Sequence, residues 1–319
     1  MVGVADRGSL PHRTPARKGS DGNPIQLAEP TGPAIARKAA RLLARESNLT
    51  AGEGRLGSER PPVAWVRRIG RAGLAVTRHI GRAGVLFGAT MLALLHPRDH
   101  VRETFRQAKA IGIDSLPLVL LVATLSGSIL AQQSGYQFTD LPLWIVGNAV
   151  AAGMLTELAP LLSAIIMAGR VGAGIGAELG TMKVTDQLDA LRTLGRDPVG
   201  ELIMPRVVAG AIMMVPIVIL ANIAGIWSGW ITGMAMLDLS THDYVYGVRN
   251  YYHSAALIFS LVKGVFFGIT ITFIGCYVGL QAEGGAAGVG RTARNTVVAI
   301  IVALMVLDVV LAPLYKAVG

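Results

Sequence analysis

The chain has 319 residues, of which 52% are hydrophobic and only 15% charged, with a formal net charge of +9 and a mean hydropathy of +0.52. One large or two ordinary soluble domains would fit that length, but the hydropathy argues against both and names lipid as the solvent for much of the chain. The single cysteine, Cys276, stands inside an apolar run, which excludes an intrachain disulfide and leaves the redox compartment open.

Of the 29 Lys and Arg, 19 precede Ser115, so the positive balance belongs to the N-terminal third. Residues 1–62 are rich in Arg, Gly, Pro and Ser without periodicity and read as a disordered basic tail, either an arm on anionic headgroups or a solvated extension. No cleavable signal peptide is expected, because the first apolar run comes late. Arg67 and Arg68 mimic a twin-arginine signal only superficially, since Arg71, Arg78 and Arg82 interrupt the stretch that such a signal needs apolar. Residues 63–112 alternate apolar positions such as Val66, Ile69 and Leu74 with those arginines, a pattern suited to lying at headgroup level; His96-Pro97 divides the stretch.

Five apolar runs long enough to span come next, at 115–137, 143–177, 199–237, 254–280 and 296–314, the third long enough to tilt or break at Pro216. Along the second run Gly172, Gly176 and Gly180 stand four apart with Ala164 and Ala168, a face on which a neighbouring helix can approach closely. Residues 178–195 then become amphipathic: Leu188, Leu191 and Leu194 fall on one side, Asp186, Asp189 and Arg192 elsewhere, and Gly195 and Pro198 end the segment. Arg170, Lys183, Arg192, Arg196 and Arg206 lie around this connection and Arg291 and Arg294 around the fourth, whereas only Arg249 lies between spans three and four. The positive-inside rule therefore predicts a cytoplasmic N-terminus and an external C-terminus. The external loop 237–253, with its tyrosines, is an interfacial aromatic belt or a docking surface.

Three ionisable residues stand inside predicted spans: Glu157, Lys263 and Asp308. Each charge costs about 2.5–3.5 kcal/mol at a helix centre on insertion scales, so they are expected to face protein or a wet cavity and to neutralise one another. They are either structural glue or part of a transport cavity. Enzymatic readings fail, since the six histidines lack metal-ligand spacing and no Ser sits in a nucleophile elbow. The run GRVGAGIGAELG, residues 169–180, has no preceding strand and ends without Gly-Lys-Ser/Thr, so it is no nucleotide site. Without an energy-coupling motif of its own, uphill work must come from a partner or an ion gradient.

The segment ELAPLLSAIIMAGRVGAGIGAELGTMKVTDQLDALRTLGRDPVGELIMPRVVAG, with VKGVFFGITITFIGCYVG and EGGAAGVGRTARNTVV further on, resembles the MlaE/YrbE family of ABC-transporter permeases, which serve MCE-protein lipid transport systems. The resemblance covers about 63–319. It implies an all-α integral membrane protein of the inner membrane: an N-terminal interfacial amphipathic helix plus five transmembrane helices, with a cytoplasmic coupling helix between spans two and three. It also implies a partner ABC ATPase (MlaF-like), an extracytoplasmic MCE-domain lipid-binding protein, and a second permease subunit, identical or not, around a cavity for membrane lipid. No cofactor, metal or nucleic acid is expected. The resemblance makes 178–195 the segment that seats in the ATPase, with Glu178, Lys183, Asp186, Leu188, Asp189, Leu191 and Arg192 its contact candidates. It matches Glu157, Lys263 and Asp308 to the family's intramembrane charges and places Leu125, Ile129, Gln133 and Tyr136 at the lipid cavity. Some members carry Arg directly before the span-two Glu, where this chain has Thr156. The alternatives are an ion-coupled secondary transporter working through the three intramembrane charges, against which the lack of an inverted repeat counts, and a scaffold without transport.

Overall fold

The computed structural model describes residues 61–93, 101–138 and 141–318. Residues from Ala75 onward form one compact unit; of the other, Met1–Leu74, the described part is the opening of a helix. The predicted tail lies outside the described residues except for Pro61 and Pro62, which begin that helix as proline can in a first turn. The His96-Pro97 break also lies outside them.

In chain order the helices are α1 (Pro61–Ala93), α2 (Val101–Ile111), α3 (Leu116–Gln137), α4 (Trp144–Val184), α5 (Gln187–Thr193), α6 (Val199–Met236), α7 (Thr241–Tyr251), α8 (Ser254–Gly279) and α9 (Gly285–Val318). Among the described residues there is no strand. Five stretches, Val101–Gln137, Trp144–Val184, Val199–Met236, Ser254–Gly279 and Gly285–Tyr315, are long and apolar enough to cross a bilayer. The chain is an all-α, multi-pass membrane protein.

Small residues set how closely these helices approach. On α3 the buried face is Val119, Ala123, Gly127, Ala131 and Ser134, turned to α6. A Cβ on Gly127 would collide with the Gly225 carbonyl. The α6–α8 contact repeats the device, since a Cβ on Gly268 would strike the Gly210 carbonyl. Lipid supplies no hydrophobic drive between spans, so backbone proximity and dispersion do this work. Helix α1 meets α8 through an edge-to-face pair of Phe87 and Phe273 at 5.5 Å and a hydrogen bond in which Tyr277 Oη donates to the His79 carbonyl at 3.0 Å.

Several bounds differ from the sequence expectation. Helix α4 runs on to Val184, so Arg170 sits within it, donating to Ser115 Oγ at 2.6 Å, and is not a loop charge. Arg206 is likewise buried in α6. The α4–α6 connection keeps Arg192 and Arg196, with Lys183 in the last turn of α4 beside them, and the charge excess of this end over the α6–α8 connection persists. Helix α9 starts at Gly285, directly after the left-handed turn at Gly284, and not near residue 296, so the helix begins well before the apolar run it carries. Pro216 does not break α6. The connection between α6 and α8 folds into α7, capped by Ser240, whose Oγ accepts from the Asp243 N–H at 3.1 Å. Its tyrosines split in role: Tyr244 is buried with its hydroxyl donating to the Ile226 carbonyl at 2.7 Å, Tyr246 stands edge-on to Trp144, and Tyr252 is exposed.

Candidate functional site: a buried lysine between two carboxylates

Glu157, Lys263 and Asp308 come from α4, α8 and α9 and meet at one point. Lys263 is 0% exposed; its Nζ donates to Glu157 Oε2 at 2.7 Å and lies 2.6 Å from Asp308 Oδ1. The third contact is the Thr156 carbonyl, at 3.1 Å. That oxygen lacks its usual helical donor for a local reason: Pro160, four residues on, has no N–H to return to it, and the helix widens into a π turn over Met154–Leu158. The ammonium also faces the Phe259 ring at 5.4 Å. Thr156 is thus a member of the site that the charge pattern alone misses, and Pro160 is the sequence signal that marks it.

The two carboxylates are not equivalent. Asp308 is 17% exposed and Glu157 45%, so Glu157 bonds the buried lysine while reaching outward from the bundle. With all three ionised the site carries a formal charge of −1. Beside it, one turn back on α8, Ser260 Oγ accepts from Asn222 Nδ2 at 3.1 Å, a buried polar link that sequence spacing alone does not reveal.

The residues expected at a lipid cavity, Leu125, Ile129, Gln133 and Tyr136, share one exposed face of α3 opposite its contact with α6.

Gly172, Gly176 and Gly180 do form a close-contact face, and its occupant is in the same chain. A Cβ on Gly172 would run into Ile300 Cδ1, one on Gly176 would lie 2.6 Å from Thr296 Oγ1, and one on Gly180 would lie 3.2 Å from Ala282 Cβ. With α9 seated there, this face is closed to a second subunit.

The expected single amphipathic helix over 178–195 is two pieces. Glu178 and Lys183 belong to the last turns of α4, and Asp186, with φ of 58°, takes a left-handed conformation that breaks the run before α5 begins. Glu178 is tied inward: Arg206, 2% exposed, donates from Nη2 to its Oε1 at 2.7 Å and from Nη1 to the Leu202 carbonyl at 2.7 Å. Arg206 therefore belongs to this end of the molecule, though 28 residues separate the pair. On α5 Leu188 is buried and Leu191 half-buried, while Leu194 at the tip is 76% exposed; Asp189 and Arg192 form an exposed pair at 3.0 Å. The segment closes as a Schellman turn, with Gly195 N–H donating to the Arg192 carbonyl and Arg196 N–H to that of Leu191. Asp197 then caps α6, its carboxylate accepting from the N–H groups of Val199 and Gly200 at 3.1 Å, with Pro198 at the first helical position.

Comparison with known proteins agrees with this architecture. The chain is 35% identical over 231 residues to a probable ABC transporter permease protein of Rickettsia felis, spanning 72% of this chain and 89% of that one. It is 32% identical over 232 residues to the chloroplastic protein trigalactosyldiacylglycerol 1 of Arabidopsis thaliana, spanning 72% of this chain and 66% of that one. It is 28% identical over 259 residues to the intermembrane phospholipid transport system permease protein MlaE of Haemophilus influenzae, spanning 81% of this chain and 99% of that one. The profile of the family Permease MlaE matches residues 104–314, which takes in the second, third and fourth apolar stretches, nearly all of the first and fifth, the three-charge site and α5. The chain belongs to the MlaE permease family.

Proposed function

We propose that this chain is the membrane-embedded subunit of an ABC-type lipid transporter, carrying phospholipid or another hydrophobic molecule between the inner membrane and an extracytoplasmic MCE protein. In this reading two permease subunits enclose the lipid path, each offering the exposed face of α3 that carries Leu125, Ile129, Gln133 and Tyr136. The N-terminus is cytoplasmic, α1 lies at the headgroups, and α5 is gripped by a partner ATPase. One observation carries the proposal: the α5 tip holds an exposed leucine, Leu194, beside Asp186, Asp189 and Arg192, on a chain whose sequence has no nucleotide-binding motif. An apolar knob ringed by charge is what a separate motor could seat.

The test is reconstitution with the ATPase and the MCE protein. ATP-dependent transfer of labelled phospholipid and stimulation of the ATPase are expected, and Asp189→Arg is expected to abolish the stimulation while the dimer survives size-exclusion chromatography. Unchanged stimulation in the variant would count against the coupling role.

The buried lysine with its outward-reaching Glu157 also favours a second reading, ion-coupled transport through the three charges. It predicts lipid movement by the isolated chain in liposomes under a proton gradient without any ATPase, and transport only with ATPase and nucleotide present would remove it.

A further inference from the structure

The α6–α7–α8 flank holds an open cavity of about 600 Å³, within the range of roughly 300–1,000 Å³ typical of small-molecule sites. Its walls are aliphatic and aromatic, including Ile223, Trp227, Trp230 and Tyr252. Asn222, its amide oxygen sealed from the cavity, and the cationic Arg249 join them. Asn222 is 3% exposed; its Nδ2 donates to the Val218 carbonyl and Ser260 Oγ, while its Oδ1 receives no hydrogen bond. Arg249, in the last turn of α7, is exposed, with no ion-pair or hydrogen-bond partner among the described residues, and is the only Lys or Arg between α6 and α8. Arg249 is thus the one cationic side chain lining an otherwise largely apolar cavity.

We infer that this cavity binds an anionic phospholipid taken from the leaflet on the α7 side: chain against the tryptophans, phosphate at Arg249. The inference rests on the proposed lipid function. It places a second lipid site on the flank, apart from the exposed α3 face, and so a selective contact with the surrounding leaflet. Arginine suits the head because its planar fork matches phosphate.

The experiment uses the full transporter complex in nanodiscs without nucleotide. Trp65→Phe and Trp144→Phe leave only the two cavity tryptophans of the chain's four. Partner tryptophans are replaced likewise, and fluorescence is quenched by lipids with brominated chains. Half-quenching is expected at a mole fraction about fivefold lower for brominated phosphatidylglycerol than for brominated phosphatidylcholine. Arg249→Gln should erase that preference in protein whose melting temperature is unchanged. Equal quenching by the two lipids in the parent protein would overturn the site. So would a photo-crosslinker at position 223 that captures a partner's helix in place of lipid. Because no ATP is present, failure here leaves ATP-driven transfer untouched, and loss of transfer with the quenching preference intact would overturn the transport proposal alone.

Discussion

Replacing Lys263 by methionine keeps length and apolar bulk and removes one charge that three groups depend on. Asp308 and Glu157 both lie within 2.7 Å of its Nζ, so the substitution leaves two carboxylates facing each other around an apolar side chain. Breaking a buried pair from one side costs about 3–5 kcal/mol. Thr156 contributes further, because Pro160 cannot return a hydrogen bond to its carbonyl, and an orphaned buried acceptor costs about 1–3 kcal/mol. Solvent at the half-exposed Glu157 offsets part of the sum, so the loss is expected near the lower end, about 3 kcal/mol. Asp308→Leu added to Lys263→Met should recover part of it by removing the more buried unpaired carboxylate. Glu157→Gln, whose partner keeps Asp308, should cost about 1 kcal/mol or less yet reduce transport. The assay is thermal unfolding of the purified complex in nanodiscs, paired with lipid transfer. A Lys263→Met protein as stable as the parent, or a double variant less stable than the single, would refute the reasoning.

Two further outcomes rest on the geometry. Gly127→Val should fail to accumulate in the membrane, because its side chain cannot pass the Gly225 carbonyl, whereas Ala at exposed Gly174, which has open space around it, should accumulate normally; immunoblots of membrane fractions compare them. Burial in α7 pushes the Tyr244 phenol above its ordinary value near 10. The stability it lends is therefore full below pH 10 and is lost as pH rises beyond, and Tyr244→Phe should flatten that alkaline decline in melting temperature.

How much of this was legible in the chain depends on how local each cause is. The end of α5 was readable because Gly195 and Asp197-Pro198 stop and restart a helix by their own backbone chemistry. The meeting of Glu157, Lys263 and Asp308 was readable because charge is so costly in lipid that three scattered charges have few other places to go. The break at Asp186 was not, since the apolar spacing from Val184 to Leu188 runs in phase across it and only φ reveals the turn. The occupant of the glycine face was equally hidden: four-residue spacing marks a close contact and is silent on which helix supplies it. The inward tie of Glu178 to Arg206 is a contact across 28 residues, outside the reach of any periodicity.

That glycine face also links the two ends of the molecule. From α9, Thr296 and Ile300 fill the hollows over Gly176 and Gly172, and two turns further along the same face of α9 stands Asp308. Glu157 stands on the same α4 that carries those glycines, about 40 Å of helix from Val184 at 1.5 Å per residue. The two carboxylates thus ride on two helices held against each other over their water-side halves, while Lys263 stands on α8. A displacement delivered through α5 to α4 should carry α9 with it, so that both acids shift together relative to the lysine. Gly176→Val tests this: its Cβ would lie 2.6 Å from Thr296 Oγ1, already committed to the Thr292 carbonyl, so the helices must part. The expected result is an assembled complex with normal ATPase binding but lost stimulation, together with a lower melting temperature. Full stimulation in a variant with a measurably lowered melting temperature would show that the zipped pair is not the path.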